Sequence, residues 1–249
     1  MKRMKKTSGT FSSSVPQEKL QSLLAELQGL QQKGLTVPVL AEFIEILLNQ
    51  RELLRAETGR MELVMTGPEP LGTLIRDTAV VVRQMFQNAT RSICICGFAV
   101  YQGKDIFAAL ASRMQSVPEL AVRMYLNIER PHGDLTASEI LIAKFQKRFR
   151  ETQWPETVRF PEIYFDPRPL SAEDGSKSAC LHAKFVIADS RQVFISSANL
   201  TEAAQQRNIE AGVLSESSSL ARDIESHFQK LIDHAYLRRL PELADRFCP

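Results

Sequence analysis

Between residues 16 and 58 the apolar positions recur at intervals of three and four. Leu20, Leu23, Leu24, Leu27 and Leu30 fall on one face of a helix that starts near Pro16 and stops before Gly34. A second helix, from Thr36 and Pro38 to Gly59, repeats the design. The two predict an antiparallel helical pair or part of a small bundle. A helix-turn-helix DNA reader has the same outline, but no segment is marked as a recognition helix.

From residue 61 the period changes. "MELVMTG", "ICICGFAV" and "LAVRMYLNI" are strand-like, and each precedes an amphipathic helical segment: "RDTAVVVRQMFQNATRS", "KDIFAALASRMQS" and "TASEILIAKFQKRFRET". Such alternation predicts βαβ units on a mostly parallel or mixed sheet. Three strands then follow closely, "LHAKFVIA", "VFISSA" and "EAGVLS", before a last helix, "SLARDIESHFQKLIDHAY". The expected class is α/β, a mixed β-sheet flanked by helices with a small N-terminal helical region. The expected divisions are a flexible basic tail over 1–15, helices over 16–60 and the α/β domain over 61–249. No internal repeat is visible.

Composition narrows this little. The chain has 249 residues, is 44% hydrophobic and 24% charged, and carries a formal charge of +2. That weakly basic balance allows a polyanionic partner without requiring one. Cys94, Cys96, Cys180 and Cys248 lack the spacing of a disulfide framework or zinc site. Cys94 and Cys96 read as small core residues of a strand. The basic start is not followed by an apolar stretch, so a signal peptide is not expected. No run approaches the roughly 18 apolar residues of a membrane span. A cytoplasmic protein with no membrane partner, no cofactor and no metal is the expectation.

The chemistry is concentrated in "LHAKFVIADSRQVFISSANLTEAAQQRNIEAGVL", residues 181–214. Taking Asp189–Gln192 as a hairpin turn, His182 falls opposite Asn199 and Lys184 opposite Ser197, all on one face. Phe185, Ile187 and Phe194 then turn to the other. Lys184, Ser197 and Asn199 supply a positive charge, a hydroxyl and an amide to non-bridging phosphoryl oxygens. His182 can attack phosphorus or move a proton near neutral pH. Glu210, on the next strand, can return beside His182 and orient it. Seven strand residues separate Asp189 from His182, about 23 Å, so Asp189 reads as a turn or register residue.

"HAKFVIAD…SSAN" resembles the H-x-K-x4-D-x6-[G/S]-S-x-N motif of the phospholipase D superfamily, with "NIE" like its downstream Asn-x-Glu. Ser196 stands where many members have Gly. The resemblance covers roughly residues 61–235. It implies a two-step, metal-independent phosphodiester transfer through a phosphohistidine. His182 would be the nucleophile, Lys184, Ser197 and Asn199 the phosphate binders, and Glu210 the orienting group. "ELVMTGPEP…RDTAVVVRQMF…SICICGFAVYQGKDIFAALASRM", with a helical N-terminus, is further similar to the phospholipase D-like component of DISARM phage-defence systems.

The motif occurs once. His132, His227 and His234 lack a Lys two residues on, so the acid for the leaving group is expected from a homodimer in which the site meets itself. Single-motif members include nucleases, which implies DNA or RNA as substrate and other defence proteins as further partners. In "AKFQKRFRE", Phe145 and Phe149 are expected to pack inward. Lys144, Lys147, Arg148 and Arg150 would form a solvated face on which a phosphodiester backbone could lie. Two alternatives to the nuclease stay open: a non-catalytic nucleic-acid-binding subunit and a phospholipid-directed phosphodiesterase.

Overall fold

The computed structural model describes residues 17–58, 60–67, 76–98, 100–101, 103–155, 158–171 and 180–241. The predicted tail, Pro16, Gly59 and Cys248 lie outside them. The chain divides into two compact units, 1–54 and 55–249.

In the first unit, α1 (Gln17–Gln32) and α2 (Val37–Thr58) are joined by a turn. Gly34 has φ +95° there, a backbone conformation open to glycine. Leu23, Leu24 and Leu30 of α1, and Phe43, Ile44, Leu47 and Leu48 of α2, are exposed.

The second unit is a mixed sheet of eight strands in the order β1-β9-β7-β6-β2-β4-β5-β10. These are β1 (Met61–Thr66), β2 (Ser92–Gly97), β4 (Ala121–Leu126), β5 (Glu162–Phe165), β6 (Phe185–Ala188), β7 (Gln192–Ser196), β9 (Glu210–Glu216) and β10 (Arg238–Arg239). β2, β4 and β5 run parallel; the other pairings are antiparallel. β3 (Val100–Tyr101) and β8 (Leu200–Thr201) form a separate parallel ribbon.

Helices α3 (Thr78–Asn88), α4 (Gly103–Ser116) and α5 (Ser138–Arg148) carry core residues of the larger cluster, which joins Val81, Phe86, Phe107, Leu110 and Phe145 to Ile93, Ile95, Met124 and Phe194. Asp77 starts α3, accepting hydrogen bonds from Ala79 N at 2.8 Å and Val80 N at 3.4 Å. A short helix, α6 (Glu202–Gln206), follows β8. On the opposite sheet face α7 (Ser218–Asp233) brings Ala221 and Phe228 against Cys94, Cys96, Tyr125, Phe185, Ile187 and Val193. Cys94 and Cys96 are thus buried free thiols.

Three expectations need correction. β6 begins at Phe185, so His182 and Lys184 precede the strand instead of lying on it. The hairpin register is one residue off: Phe185 pairs with Ile195 and Val186 with Phe194. Phe194 therefore shares a face with Val186, away from Phe185 and Ile187, and all four are buried, in two different clusters. The cause is the turn, where Asp189 and Ser190 both take positive φ, 54° and 50°. Arg191 N bonds back to Ala188 O at 3.0 Å, and Ala188 pairs with Gln192. Lastly, the helix over 136–152 does not continue regularly. It passes at Phe149–Gln153 into a wider, π-type turn.

Candidate active site

The parallel strands place the site. In such sheets binding groups gather beyond the carboxyl ends of the strands. Here Phe98 follows β2, Asn127 follows β4 and Asp166 follows β5. The start of β6 lies at the same end, since Phe185 pairs with Cys96. His182 and Lys184 sit just before it, and Ser197 and Asn199 just after β7.

Although the ladder is shifted, His182 and Lys184 stay in contact and Lys184 shares a cavity with Asn199, because the backbone bonds from Ser196 N to Lys184 O and from Ser197 N to Ala211 O hold the open end of the hairpin together. Lys184 Nζ lies 3.3 Å from His182 Nδ1 and 3.4 Å from Nε2, and donates to His182 O at 2.9 Å. An ammonium only donates, so a bond here is received by a ring-nitrogen lone pair. The Phe98 ring packs on the imidazole with centroids 4.9 Å apart, and Lys184 Nζ lies 5.8 Å from the same ring's centre. Burial lowers the Lys184 pKa from its ordinary value, against the opposing pull of Cys96, Glu210 and Cys180.

Lys184 and Asn199 line one small cavity. Asn199 Oδ1 is buried and unpaired among the described residues. Ser197 donates from Oγ to the Glu210 carboxylate and accepts from Ala211 N at 3.2 Å. Asn208 Nδ2 donates to Glu210 Oε1 at 3.3 Å. Glu210 is therefore engaged by Ser197 and Asn208. The hydrogen bonds seen at His182 come from Lys184, so the expected Glu210–His182 contact is not made in this structure.

Asp189 is at the other end of β2. Its carboxylate accepts from Thr90 N, Arg91 N, Ser92 N and Thr90 Oγ1, at 2.7–3.0 Å. Burial alone would raise its pKa, but the bonds from Ser92, Arg91 and Thr90 outweigh that and hold it below the usual value.

Three groups escaped the sequence reading. Phe98 packs on His182. Asn127 Oδ1 accepts from Leu181 N at 3.3 Å and so fixes the backbone before His182. Asp166, 1% exposed, grips Arg168 through both oxygens at 2.6–3.0 Å. Their shared signal, one residue after each parallel strand, needed the strand order and the unrecognised β5.

His132 and His227 are exposed, and exposed His234 closes α7 through Lys230 O at 2.8 Å. Phe145 and Phe149 are buried, but the basic residues around them do not form one face. Lys144 and Arg148 border a cavity beside Phe98, whereas Arg150 lies over Phe160, 5.0 Å from its centroid. Among the described residues no three His, Cys, Asp or Glu side chains gather as metal ligands would. No helix among them is long and apolar enough to cross a membrane.

A family model described as cardiolipin synthase, PLD-like domain, matches residues 82–232. The DISARM protein DrmC of Bacillus paralicheniformis is 26% identical over 159 residues, 64% of this chain and 58% of that protein. The match thus spans little more than half of the relative's length. Two solved structures are similar: Nuc, a phospholipase D family member from Salmonella typhimurium (19% identity, TM-score 0.45, 72% of this chain and 97% of that one), and NucT from Helicobacter pylori (16% identity, TM-score 0.47, 70% and 97%).

Proposed function

Because the chain belongs to the phospholipase D superfamily, we propose that it is a metal-independent phosphodiesterase that cuts DNA or RNA in bacterial phage defence. The observation that carries this reading is Lys184 Nζ within 3.3–3.4 Å of the His182 ring nitrogens, with Asn199 on the same cavity. A phosphate held by Lys184, Asn199 and Ser197 meets the imidazole of His182 at once.

In the first step a lone pair of His182 forms an N–P bond and the P–O bond to the leaving strand breaks. The departing alkoxide takes a proton from an acid. In the second step water replaces His182 at phosphorus and returns that proton. Lys184 and Asn199 hold the charge that builds on the non-bridging oxygens.

The acid comes from a second copy. Leu63 pairs with Val213, and Val213 with Ile195, and the three are 54%, 41% and 46% exposed. This apolar row on the open half of the sheet ends beside Ser196 and Ser197. Such contiguous exposed surface marks an interaction site, and a two-fold partner seated there brings its own His182.

The test is a nuclease assay in EDTA on single- and double-stranded DNA and RNA, with sedimentation. His182→Ala is expected to lose turnover and keep its melting temperature. Val213→Lys is expected to yield monomers with little activity. A fully active monomer sinks the shared site, and strict metal dependence sinks the phosphohistidine.

One observation favours a second reading, a non-catalytic nucleic-acid-binding subunit of a defence complex: Glu210 is occupied by Ser197 and Asn208, and no carboxylate among the described residues is hydrogen-bonded to His182. Binding without cleavage in the same assay would select it.

A further inference from the structure

Beside His182 a cavity of about 330 Å³ opens, within the range of about 300–1,000 Å³ typical of small-molecule pockets. Phe98 forms part of its wall and packs on the His182 ring, so cavity and phosphate site share a side chain. Tyr101 borders it and is 53% exposed. Arg148 extends over the Tyr101 ring, 6.0 Å from its centroid. The backbone ties Tyr101 to the phosphate site as well, because Tyr101 pairs with Thr201 and Val100 with Leu200, the residue after Asn199.

We propose that this cavity is a nucleobase subsite, which stacks the base next to the scissile phosphate on Tyr101 and sets the adjoining phosphate against Lys144 and Arg148. The proposal rests on the nucleic-acid reading of the catalytic site. A second observation points to a ligand. Asn127 lines the cavity and is only 5% exposed. Its Oδ1 is taken by Leu181 N, while its Nδ2 is buried with no partner among the described residues. That donor is covered as it stands, and a small turn of the amide would present it to a base carbonyl or ring nitrogen in the cavity that Asn127 lines. Glu129 and Asp134 also border the cavity, and carboxylates can accept from an exocyclic amine. An acyl chain fits poorly here: it would leave the amide unpaired and meet four charged side chains on the rim.

The experiment uses His182→Ala protein, which holds strands uncut. Affinities are measured for short single-stranded DNA and RNA, and for abasic strands of equal length. The expected result is about tenfold tighter binding of the better strand than of its abasic counterpart, the worth of one stacked base. Adding Tyr101→Ala should remove that preference. Arg148→Gln should weaken both strands and flatten the salt dependence. If Tyr101→Ala does not fold, Tyr101→Leu keeps bulk without the stacking face and reads the same quantity. Equal affinity for abasic strands, or a preference that survives loss of Tyr101, overturns the subsite. Wild-type cleavage is scored separately. Base-selective binding without cleavage supports the subsite and sinks the nuclease. Binding of anionic vesicles with no binding of strands sinks both.

Discussion

Asp189→Asn is expected to weaken the fold without touching the chemistry. The carboxylate ties the β6–β7 turn to the start of β2. Oδ1 takes Arg91 N at 2.7 Å and Ser92 N at 3.0 Å, and Oδ2 takes Thr90 N at 2.9 Å and Thr90 Oγ1 at 2.8 Å. Asparagine can keep the first pair on its one oxygen. Its amide nitrogen then faces the Thr90 N–H, donor against donor. Hydrogen bonds to a charged group contribute about 1.5–3 kcal/mol each when well shielded, and this turn is partly solvated, so each stands at the low end. The Thr90 hydroxyl can turn and accept from the new amide, so the bond lost outright is that from Thr90 N, worth about 2 kcal/mol, and for a chain of this size that lowers the melting temperature by about 4–8 °C. The sign with pH follows from the depressed pKa. The carboxylate's stabilisation is complete above its unfolded value of about 3.9 and is lost as pH falls through the folded value below that. The gap between wild type and variant should be full at neutral pH and close in acid. Thermal melts over that range, run beside phosphodiesterase assays, check it. Lost activity at unchanged melting temperature would mean that Asp189 works in the chemistry after all; a gap that persists in strong acid would mean that its charge is not the cause.

Glu210→Gln should move the alkaline rise of KM to lower pH: burial already lowers Lys184, Glu210 pulls the other way, and without it the ammonium discharges sooner. KM against pH for both proteins measures this, and coincident curves would disconnect Glu210 from Lys184. Gly212→Ala should cost about 1–3 kcal/mol by overpacking, since a Cβ there would stand 2.7 Å from the Phe194 ring and 2.8 Å from Ile195 O; a lower denaturant midpoint at unchanged slope is the expected reading.

The strands and helices that bury a face were legible, because burial imposes a period on the sequence. "ICICGFAV" and "LAVRMYLNI" gave β2 and β4, and "RDTAVVVRQMFQNATRS" gave α3, whose buried face is Val81, Val82, Met85 and Phe86. Elements with few residues to show a period were not. β5 has four, "EIYF", and the β3–β8 ribbon pairs only two on each side. The hairpin register failed for a local reason. Hairpin turns with two successive positive φ values usually carry glycine, and the three-residue loop Asp189–Arg191 has none. The anchor that makes the turn tolerable is Thr90–Ser92, nearly a hundred residues away and invisible to a local reading.

The grouping of the candidate site's side chains was legible for a different reason. His182, Lys184, Ser197 and Asn199 were named from residue type and spacing; Lys184 meets His182 and shares a cavity with Asn199, and Ser197 meets Glu210, even though the pairing assigned to them was wrong. The hairpin fixes where its open end lies, and the bonds from Ser196 N to Lys184 O and from Ser197 N to Ala211 O carry that closure into the segments that bear the side chains. Spacing along the chain therefore carried more than parity across it. Partners outside the motif were illegible by the same logic. Phe98 and Asn127 meet His182 and Leu181 because β2 and β4 run parallel and end at the same edge as β6 begins, and that is a property of strand order. Glu210 shows the limit from the other side: spacing brought it to the site, but whether its carboxylate meets Ser197 or His182 is decided by the geometry of the 208–211 segment, where Asn208 holds one oxygen and Ser197 the other.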